Sequence, residues 1–265
     1  MIESADIKKI HKFAQKMRRT SLRMAFECGE PAHIGGGLSM IEILATLYGH
    51  VMKNPGWDDR FILSKGHGVL GLYSALYEKG YMSEDDVATF QTNGSKFIAH
   101  PIMNRRAGIE SSNGSLGQGL SMAVGISLAY KKRKNPNHVY VILGDGECYE
   151  GSVWEAAITA AEQKLDNLTI FVDCNGHQND GAVSLQMEFE KMVSKWAGFG
   201  WHTLPCDGHK IPELVKNLED DVLGMPKAII AKTIKGRGVS FMENNNDWHH
   251  NRLSKKLYEE AIRDL

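Results

Sequence analysis

Two short apolar runs with a helical stretch between them constrain the fold more than any other feature. Residues 139–143 and 168–172 are continuous apolar runs rich in β-branched side chains, and residues 153–164 between them have helical spacing. A run that is apolar at every position is typical of a parallel strand buried on both faces. A third run, 227–231, follows a helical pattern at 211–218. This order predicts an α/β fold with a doubly wound, mostly parallel sheet and helices on both faces.

The rest of the chain adds helices and gives no sign of a boundary. Residues 5–28 and 39–52 carry apolar side chains at helical spacing, so the amino-terminal third is predicted to be mostly helical. The sequence contains no internal repeat, low-complexity tract or Pro/Ser-rich linker. We therefore expect one domain over residues 1–265.

Charge and cysteine usage exclude several classes of protein. Thirty-one Lys and Arg against 32 Asp and Glu leave a net charge of −1, so the chain has no basic surface for nucleic acid or an anionic membrane. No apolar run approaches the roughly 18 residues of a membrane span, and the first residues lack the apolar core of a signal peptide. Four cysteines without a CxxC pair suit a reducing compartment. We expect a cytoplasmic protein with no nucleic-acid or membrane partner.

Polar residues follow the first two predicted strands. Gly144-Asp145-Gly146 ends one run, and Asn175-Gly176-His177 follows the next. The carboxyl ends of parallel strands meet at one edge of a sheet, where ligands bind, so we expect Asp145 and Asn175 to lie together. Carboxylate, amide and carbonyl oxygens suit Mg²⁺ or Ca²⁺, and the glycines let a diphosphate approach the start of the next helix. The sequence therefore predicts a metal–diphosphate site.

Four of the eleven histidines stand in glycine-rich settings, at residues 32–37, 64–68, 99–101 and 248–250. They are His33, His67, His100 and His249. A lone histidine is usually structural, but four beside open loops are candidates for proton transfer near pH 7. We interpret the remaining seven, such as His11, His138 and His209, as structural.

The spacing from Gly144-Asp145-Gly146 to Asn175, with 28 intervening residues, resembles the magnesium–diphosphate signature of thiamine diphosphate enzymes. Essentially the whole chain resembles the amino-terminal, diphosphate-binding domain of transketolase. The motifs that carry this resemblance are His-Ile-Gly-Gly-Gly-Leu-Ser at 33–39, Asp-Arg-Phe-Ile-Leu-Ser-Lys-Gly-His-Gly at 59–68, Gly-Ser-Leu-Gly-Gln-Gly at 114–119 and Lys-Thr-Ile-Lys-Gly-Arg-Gly at 232–238.

The resemblance implies thiamine diphosphate and Mg²⁺ as cofactors, with Ca²⁺ or Mn²⁺ as substitutes. It makes Asp145, Asn175 and the carbonyl of His177 the metal ligands. It assigns cofactor contacts to His67, Gly114, Ser115, Leu116, Gly146, Glu150, Asn175 and His249. It makes His33, His100 and His249 the catalytic residues that face a ketose.

The role of two acidic residues has two interpretations. Glu150 and Glu155 match family positions near the subunit interface that couple paired sites. Carboxylates at a helix amino terminus are also simply favourable, and this second interpretation stays open.

Two departures from the family pattern stand out. Cys174 occupies a place where family members usually carry Asn or Asp, so a hydrogen bond beside Asn175 is expected to be missing without loss of metal binding. The sequence also stops 16 residues after His249, whereas a full transketolase continues into a pyrimidine-binding and a third domain.

The leading hypothesis is therefore a split transketolase. A second subunit would supply the pyrimidine-binding and C-terminal domains in a 2:2 heterotetramer that acts on sugar phosphates of carbohydrate metabolism such as the pentose phosphates. The first alternative is one component of another thiamine diphosphate enzyme, like 1-deoxyxylulose-5-phosphate synthase or a 2-oxo-acid dehydrogenase. The second is a catalytically silent partner subunit.

Overall fold

The three apolar runs form adjacent strands of one parallel sheet, as the sequence predicts. A computed structural model describes residues 3–54, 56 and 58–265. The strands within those residues are β1 (Arg60–Leu63), β2 (Val139–Gly144), β3 (Leu168–Cys174), β4 (His177–Gln178), β5 (Gly181–Ala182), β6 (His202–Asp207) and β7 (Lys227–Lys232). The main sheet has the order β1-β2-β3-β7-β6 with every neighbouring pair parallel, and β4 and β5 form a short antiparallel hairpin.

Helices cover both faces of this sheet. They are α1 (Ser4–Glu27), α2 (Ile34–Leu38), α3 (Ile41–Thr46), α4 (Val69–Glu78), α5 (Glu84–Ala88), α6 (Gly119–Lys132), α7 (Gly151–Glu162), α8 (Phe189–Gly198), α9 (Ile211–Glu219) and α10 (Lys255–Arg263). The fold is a mostly parallel α/β sheet enclosed by helices, and the expected fold class is confirmed.

Alternate residues of the central strands enter two separate apolar cores. Tyr140 and Ile142 of β2 pack with α1 to α4, α9 and α10, whereas Val141 and Leu143 pack with α6, α7 and α8. Since successive side chains of a strand point to opposite faces, a strand between two cores must be apolar at both kinds of position. This is the physical reason for the continuous apolar runs.

The sequence pattern does not reveal the strands at either edge of the sheet. Strand β1 has only four residues and begins with Arg60, while β6 is half exposed and contains Pro205. Pro205 has no N–H to donate, and such a residue is tolerated where a strand has a neighbour on one side only. Short, partly polar edge strands lack the continuous apolar run that marks the central ones.

The helical stretch predicted at 39–52 begins earlier, at Ile34, and runs through α2 and α3 into a π-helical turn at Leu47–Val51. Gly37 of α2 lies against α4, where a Cβ atom on Gly71 would sit 2.8 Å from the Gly37 carbonyl oxygen. Glycine therefore allows the two helix backbones to touch. That contact brings the start of α2 to the carboxyl edge of the sheet.

The same stretch corrects the expectation about apolar runs. Residues 34–51 have the length and composition of a membrane span, with a mean hydropathy of 1.2, and 83% of this window is buried inside the protein. Burial of this extent is typical of a core helix in a folded domain.

Candidate active site

A cavity of about 630 Å³ opens at the carboxyl ends of β2 and β3. Its wall contains eleven of the residues singled out from the sequence: His33, His67, His100, Gly114, Leu116, Asp145, Gly146, Glu150, Asn175, His177 and His249. Ser115 is exposed and lies outside this wall, and its cofactor contact stays a prediction. Glu155 is exposed on α7.

The predicted metal ligands do meet at this edge. The two carboxylate oxygens of Asp145 accept hydrogen bonds from the backbone N–H groups of Gly146 and Gly176, each at 2.7 Å. The Asn175 side-chain oxygen accepts from the His177 N–H at 3.1 Å. The ends of β2 and β3 are adjacent, so these residues are neighbours although they are far apart in the sequence.

Asp145 is suited to a cation. The residue is 2% exposed, and burial, followed by the charge of Asp173, raises the pKa of its carboxyl to about 7 against the hydrogen bonds from Gly176 and Gly146. A bound cation would stabilise the buried negative charge. In the described part of the chain, no group of three or more His, Cys, Asp and Glu side chains forms a metal cluster. One carboxylate, one amide and a backbone carbonyl instead make an oxygen set of the kind that Mg²⁺ or Ca²⁺ prefers.

A buried ion pair lies beside the cavity, whose wall includes Lys65. Lys65 and Asp173 have side chains 1% and 0% exposed, and their charged atoms are 2.5 Å apart. Asp173 also accepts from Ser39 Oγ at 2.6 Å and from Thr233 Oγ1. Burial would raise the pKa of Asp173, but the charge of Lys65 and these hydrogen bonds lower it, so the carboxylate is ionised.

Asp173 also bonds to Asn175, beside which the presence of Cys174 predicts a missing hydrogen bond. It accepts from the Asn175 side-chain N–H at 3.1 Å, so the amide is held from two residues away in the sequence. Cys174 is itself buried at the end of β3. Asp173 therefore holds the Asn175 amide, whereas the bond that an Asn or Asp at position 174 would add stays a prediction.

The four histidines from separate glycine-rich segments form one cluster. The His33 ring lies 5.5 Å from His67, 5.6 Å from His100 and 5.4 Å from His249, measured between centroids. A fifth ring, His250, lies 4.5 Å from His33. Only His33 contacts all the others, so it is the centre of the cluster among the aromatic contacts that the structure describes.

A lowered pKa keeps His33, His67, His100 and His249 neutral at pH 7. Burial, then the neighbouring rings, lowers the pKa of His33 to about 3, and burial lowers the pKa of His100. Burial, then the charge of Lys65, lowers the pKa of His67. His33 Nδ1 is buried and has no hydrogen-bond partner within the described residues. A neutral ring with a free buried nitrogen is equipped to bind a hydroxyl group.

The tautomer of His249 is fixed by a lysine. Lys235 is 1% exposed, and its Nζ lies 2.8 Å from His249 Nδ1 and 2.8 Å from Asn246 Oδ1. An ammonium group only donates, so His249 Nδ1 accepts and its proton lies on Nε2. Burial, then the charges of Lys235 and Lys65, lowers the pKa of His249 to about 4. Burial and the charge of Lys65 lower the pKa of Lys235 to about 8.

Glu147 holds together the two glycine loops of the cavity. Its carboxylate is 2% exposed and accepts from Ser64 Oγ at 2.5 Å, Gly117 N–H at 2.8 Å and Gly144 N–H at 3.1 Å. These bonds join the loop after β1 to those at Gly114 and Gly146. A Cβ atom on Gly146 would come within 3.0 Å of Gln178, whereas Gly114 faces open space.

Sequence reasoning missed Lys65, Asp173, Glu147 and Lys235. Lys65 and Lys235 lie inside motifs that carry the family resemblance, and each is flanked by glycine. A lysine inside such a motif was the available signal. Its partner was not visible, because Lys65 meets Asp173 across 108 positions of sequence.

Comparisons with known proteins identify the family of this chain. The model of the family described as "Transketolase, thiamine diphosphate binding domain" matches residues 11–263. The 6-deoxy-6-sulfo-D-fructose transketolase subunit SqwG of Clostridium sp. (strain MSTE9) is 42% identical over 241 residues, 88% of each chain. One of the apulose-4-phosphate transketolase subunits, from Actinobacillus succinogenes, is 39% identical over 263 residues, 97% of this chain and 95% of that protein.

Among solved structures, the transketolase from Leishmania mexicana superposes with a TM-score of 0.88 at 28% identity. The match covers 96% of this chain and 41% of that chain. This chain therefore spans about two-fifths of the transketolase structure, and nearly the whole length of the two relatives that are called subunits.

Proposed function

Because the chain belongs to the transketolase family of thiamine diphosphate-binding domains, we propose that it is the diphosphate-binding subunit of a two-chain transketolase. The enzyme would transfer a two-carbon ketol unit from a ketose to an aldose. One observation carries this proposal: the oxygen donors of Asp145 and Asn175 share a cavity with a cluster of neutral histidines.

Asp145, Asn175 and the carbonyl of His177 would hold Mg²⁺, and the metal would hold the diphosphate. Gly114 faces open space in the cavity wall and would leave room for the cofactor, and Gly146 lies in the turn that leads into α7. When bound, thiamine diphosphate supplies the reactive carbon that takes up and passes on the two-carbon unit. Lys65 lines the cavity, and Lys235 contacts His249 of its wall.

His33, His100 and His249 would bind substrate hydroxyls and move protons. His249 presents Nε2–H because Lys235 occupies its other nitrogen. His33 keeps a nitrogen without a partner in the described structure. Neutral rings at these positions donate or accept one hydrogen bond at each nitrogen, which is the property that general acid–base transfer needs.

We propose an anionic sugar as the substrate. One relative is named for 6-deoxy-6-sulfo-D-fructose and another for apulose-4-phosphate, so both names specify a sugar with an acidic group at one end. The polar hydroxyl end of such a sugar fits the histidine cluster, and the acidic end would extend toward the partner subunit.

The partner would cover an apolar rim around the cavity. Ile102 and Met103, just after His100, are 41% and 55% exposed, and Tyr149 and Leu185 are 45% and 68% exposed. Tyr149 lines the cavity and bonds to Ser184 at 2.6 Å, which places Leu185 at the same rim. Exposed apolar side chains around a polar cavity mark an interaction surface. We propose that a subunit with the pyrimidine-binding and C-terminal domains covers it in a 2:2 assembly.

Two measurements test the proposal. Calorimetric titration of the purified chain with thiamine diphosphate should show binding that requires Mg²⁺. A coupled assay should then show ketol transfer when the chain is mixed with a subunit that carries the pyrimidine-binding and C-terminal domains, and none from either component alone. Metal-dependent binding without ketol transfer from any anionic ketose would favour a different thiamine diphosphate enzyme. No cofactor binding by either the chain or the mixture would contradict the proposal.

A further inference from the structure

A second buried network lies outside the cavity and reaches the loop that carries Lys235. Its centre is Glu42 on α3, 7% exposed. One Glu42 oxygen accepts from Arg18 Nη2 at 2.6 Å, and the other lies 2.9 Å from His209 Nδ1. Burial would raise the pKa of Glu42, but the hydrogen bond from His209 and the charge of Arg18 lower it to about 2. The carboxylate is therefore ionised.

Each partner of Glu42 holds the backbone on one side of Lys235. The Ile234 N–H donates to His209 Nε2 at 2.9 Å, and Arg18 Nε donates to the Arg237 carbonyl at 2.9 Å. His209 accepts at Nε2, so its proton lies on Nδ1 and points at Glu42. One carboxylate thus sets the orientation of two side chains that hold residues 234–237.

Close packing transmits this restraint to the Lys235 side chain. A Cβ atom on Gly238 would come within 2.7 Å of Arg18, and one on Gly35 within 3.0 Å of the Lys235 stem. Gly236 donates to the Gly35 carbonyl at 3.0 Å. Lys235 therefore has little room to move away from His249, which it contacts at 2.8 Å.

We propose that Glu42, acting through His209 and Arg18, is a positioning residue that holds Lys235 against His249 and so fixes the His249 tautomer that faces the substrate. This inference rests on the proposed function because it concerns the same site. It also gives His209 a role that the sequence does not suggest, since its setting alone indicates a structural histidine.

The test uses the full chain labelled with ¹⁵N-histidine. The ring nitrogen signals of His249, assigned with the His249→Gln variant, should show Nε2 protonated and Nδ1 accepting a hydrogen bond. In Glu42→Gln, the side-chain NH2 group faces one of the two donors, Arg18 or His209. The hydrogen bond to that residue is therefore lost. We expect the His249 Nδ1 signal to shift toward that of a solvent-exposed ring and the dissociation constant for Mg²⁺-loaded thiamine diphosphate to rise about tenfold.

Two pairs of variants separate positioning from general loosening. His209→Gln keeps an oxygen that can accept from Ile234, whereas His209→Phe does not, so only Phe should reproduce the Glu42→Gln shift. Thr46→Val removes a buried hydroxyl bonded at 2.8 Å to the Glu42 carbonyl and leaves the carboxylate in place. This variant on the same helix should resemble the wild type. If Glu42→Gln does not fold, Arg18→Lys takes its place, because it keeps the positive charge beside Glu42 and removes the guanidinium bond to the Arg237 carbonyl.

An unchanged His249 signal in the Glu42 and His209→Phe variants would overturn the proposal, as would an equal shift in Thr46→Val. The ring signals are read without cofactor, so they decide the positioning role even if the wild type does not bind thiamine diphosphate. That second result would contradict the proposed function alone.

Discussion

Two crevices at the carboxyl edge of the same sheet differ in whether their polar groups have hydrogen-bond or ion-pair partners. The active-site cavity follows β2 and β3, and a second crevice of about 460 Å³ lies where β6 and β7 end. In the second crevice His209 is bonded at both ring nitrogens, Arg237 pairs with Glu243 at 3.3 Å, and Lys232 lies over the Phe189 ring. In the cavity, His33 Nδ1 is buried without a partner among the described residues.

This difference distinguishes a cavity that binds a ligand from a crevice whose residues support that cavity. Buried polar groups normally find partners, because each one left without a partner costs free energy. The cost at His33 and the raised pKa of Asp145 are both explained if a bound ligand gives His33 a hydrogen-bond partner and places a positive charge beside Asp145. The paired groups of the second crevice need no ligand, and they stabilise the loop that reaches into the first.

The largest effect should come from breaking the buried ion pair beside the cavity. Asp173→Asn leaves the buried Lys65 ammonium without a charged partner, so we expect the free energy of unfolding to fall by about 3–5 kcal/mol. Urea denaturation measures this. The double variant Lys65→Met with Asp173→Asn should recover much of the loss. A double variant as unstable as the single one would show that the ion pair is not the cause.

Asp145→Asn should separate binding from stability. Loss of the charged ligand should weaken Mg²⁺-dependent thiamine diphosphate binding about 100-fold. The metal-free chain should keep its stability to within about 1 kcal/mol, because relief of a buried carboxylate that is costly to ionise is offset by the loss of the hydrogen bond from either the Gly146 or the Gly176 N–H. Titration calorimetry and urea denaturation measure the two effects. Weaker binding together with lower metal-free stability would instead indicate damage to the fold.

The neutral histidines predict a dependence of stability on pH. The pKa of His33 is about 3 in the fold against 6.5 ordinarily, so below pH 6.5 the unfolded chain binds a proton that folded His33 does not. Stability should therefore fall as the pH drops from about 6.5 toward 3. One such proton contributes at most about 1.4 kcal/mol per pH unit, and partial solvent exposure of His33 makes about 1 the better expectation.

His33→Gln should remove that contribution, so its unfolding free energy should vary less steeply than that of the wild type between pH 6 and 4. His11→Gln, at an exposed position of α1, is the matched control and should follow the wild type. Equal slopes for His33→Gln and the wild type in urea denaturation would mean that His33 takes up its proton in the folded state.

The smallest effect should come from the second crevice. Glu243→Gln removes an ion pair whose Arg237 and Glu243 side chains are 41% and 31% exposed. Exposed pairs contribute about 0–1 kcal/mol, and glutamine can still accept from the Gly238 N–H. A loss above about 2 kcal/mol in thermal or urea denaturation would show that this pair matters as much as the buried ones, and the contrast between the crevices would fail.

Local pattern predicted the central sheet and most of the cavity wall. Strands β2, β3 and β7 lie between two cores, so each contains a continuous apolar run. Residues that follow such parallel strands meet at one edge of the sheet. The edge strands β1 and β6 lack that signal. The residues of the pairs Lys65–Asp173 and Glu42–His209 are 108 and 167 positions apart in the sequence. A local sequence pattern does not predict which distant side chains will be in contact.

The opposite edge of the sheet offers a place for chemical labelling. Leu223 is 93% exposed in the loop before β7, where Gly224 bonds to Asp166 in the loop before β3. Since a six-residue strand is about 20 Å long, this loop is remote from the cavity. Burial raises the pKa of the thiols of Cys148, Cys174 and Cys206, which makes them poor nucleophiles. With the half-buried Cys28 replaced, a cysteine at position 223 could therefore carry a fluorophore or a surface tether. The label would report on the proposed assembly from the end of the sheet that is opposite the cavity.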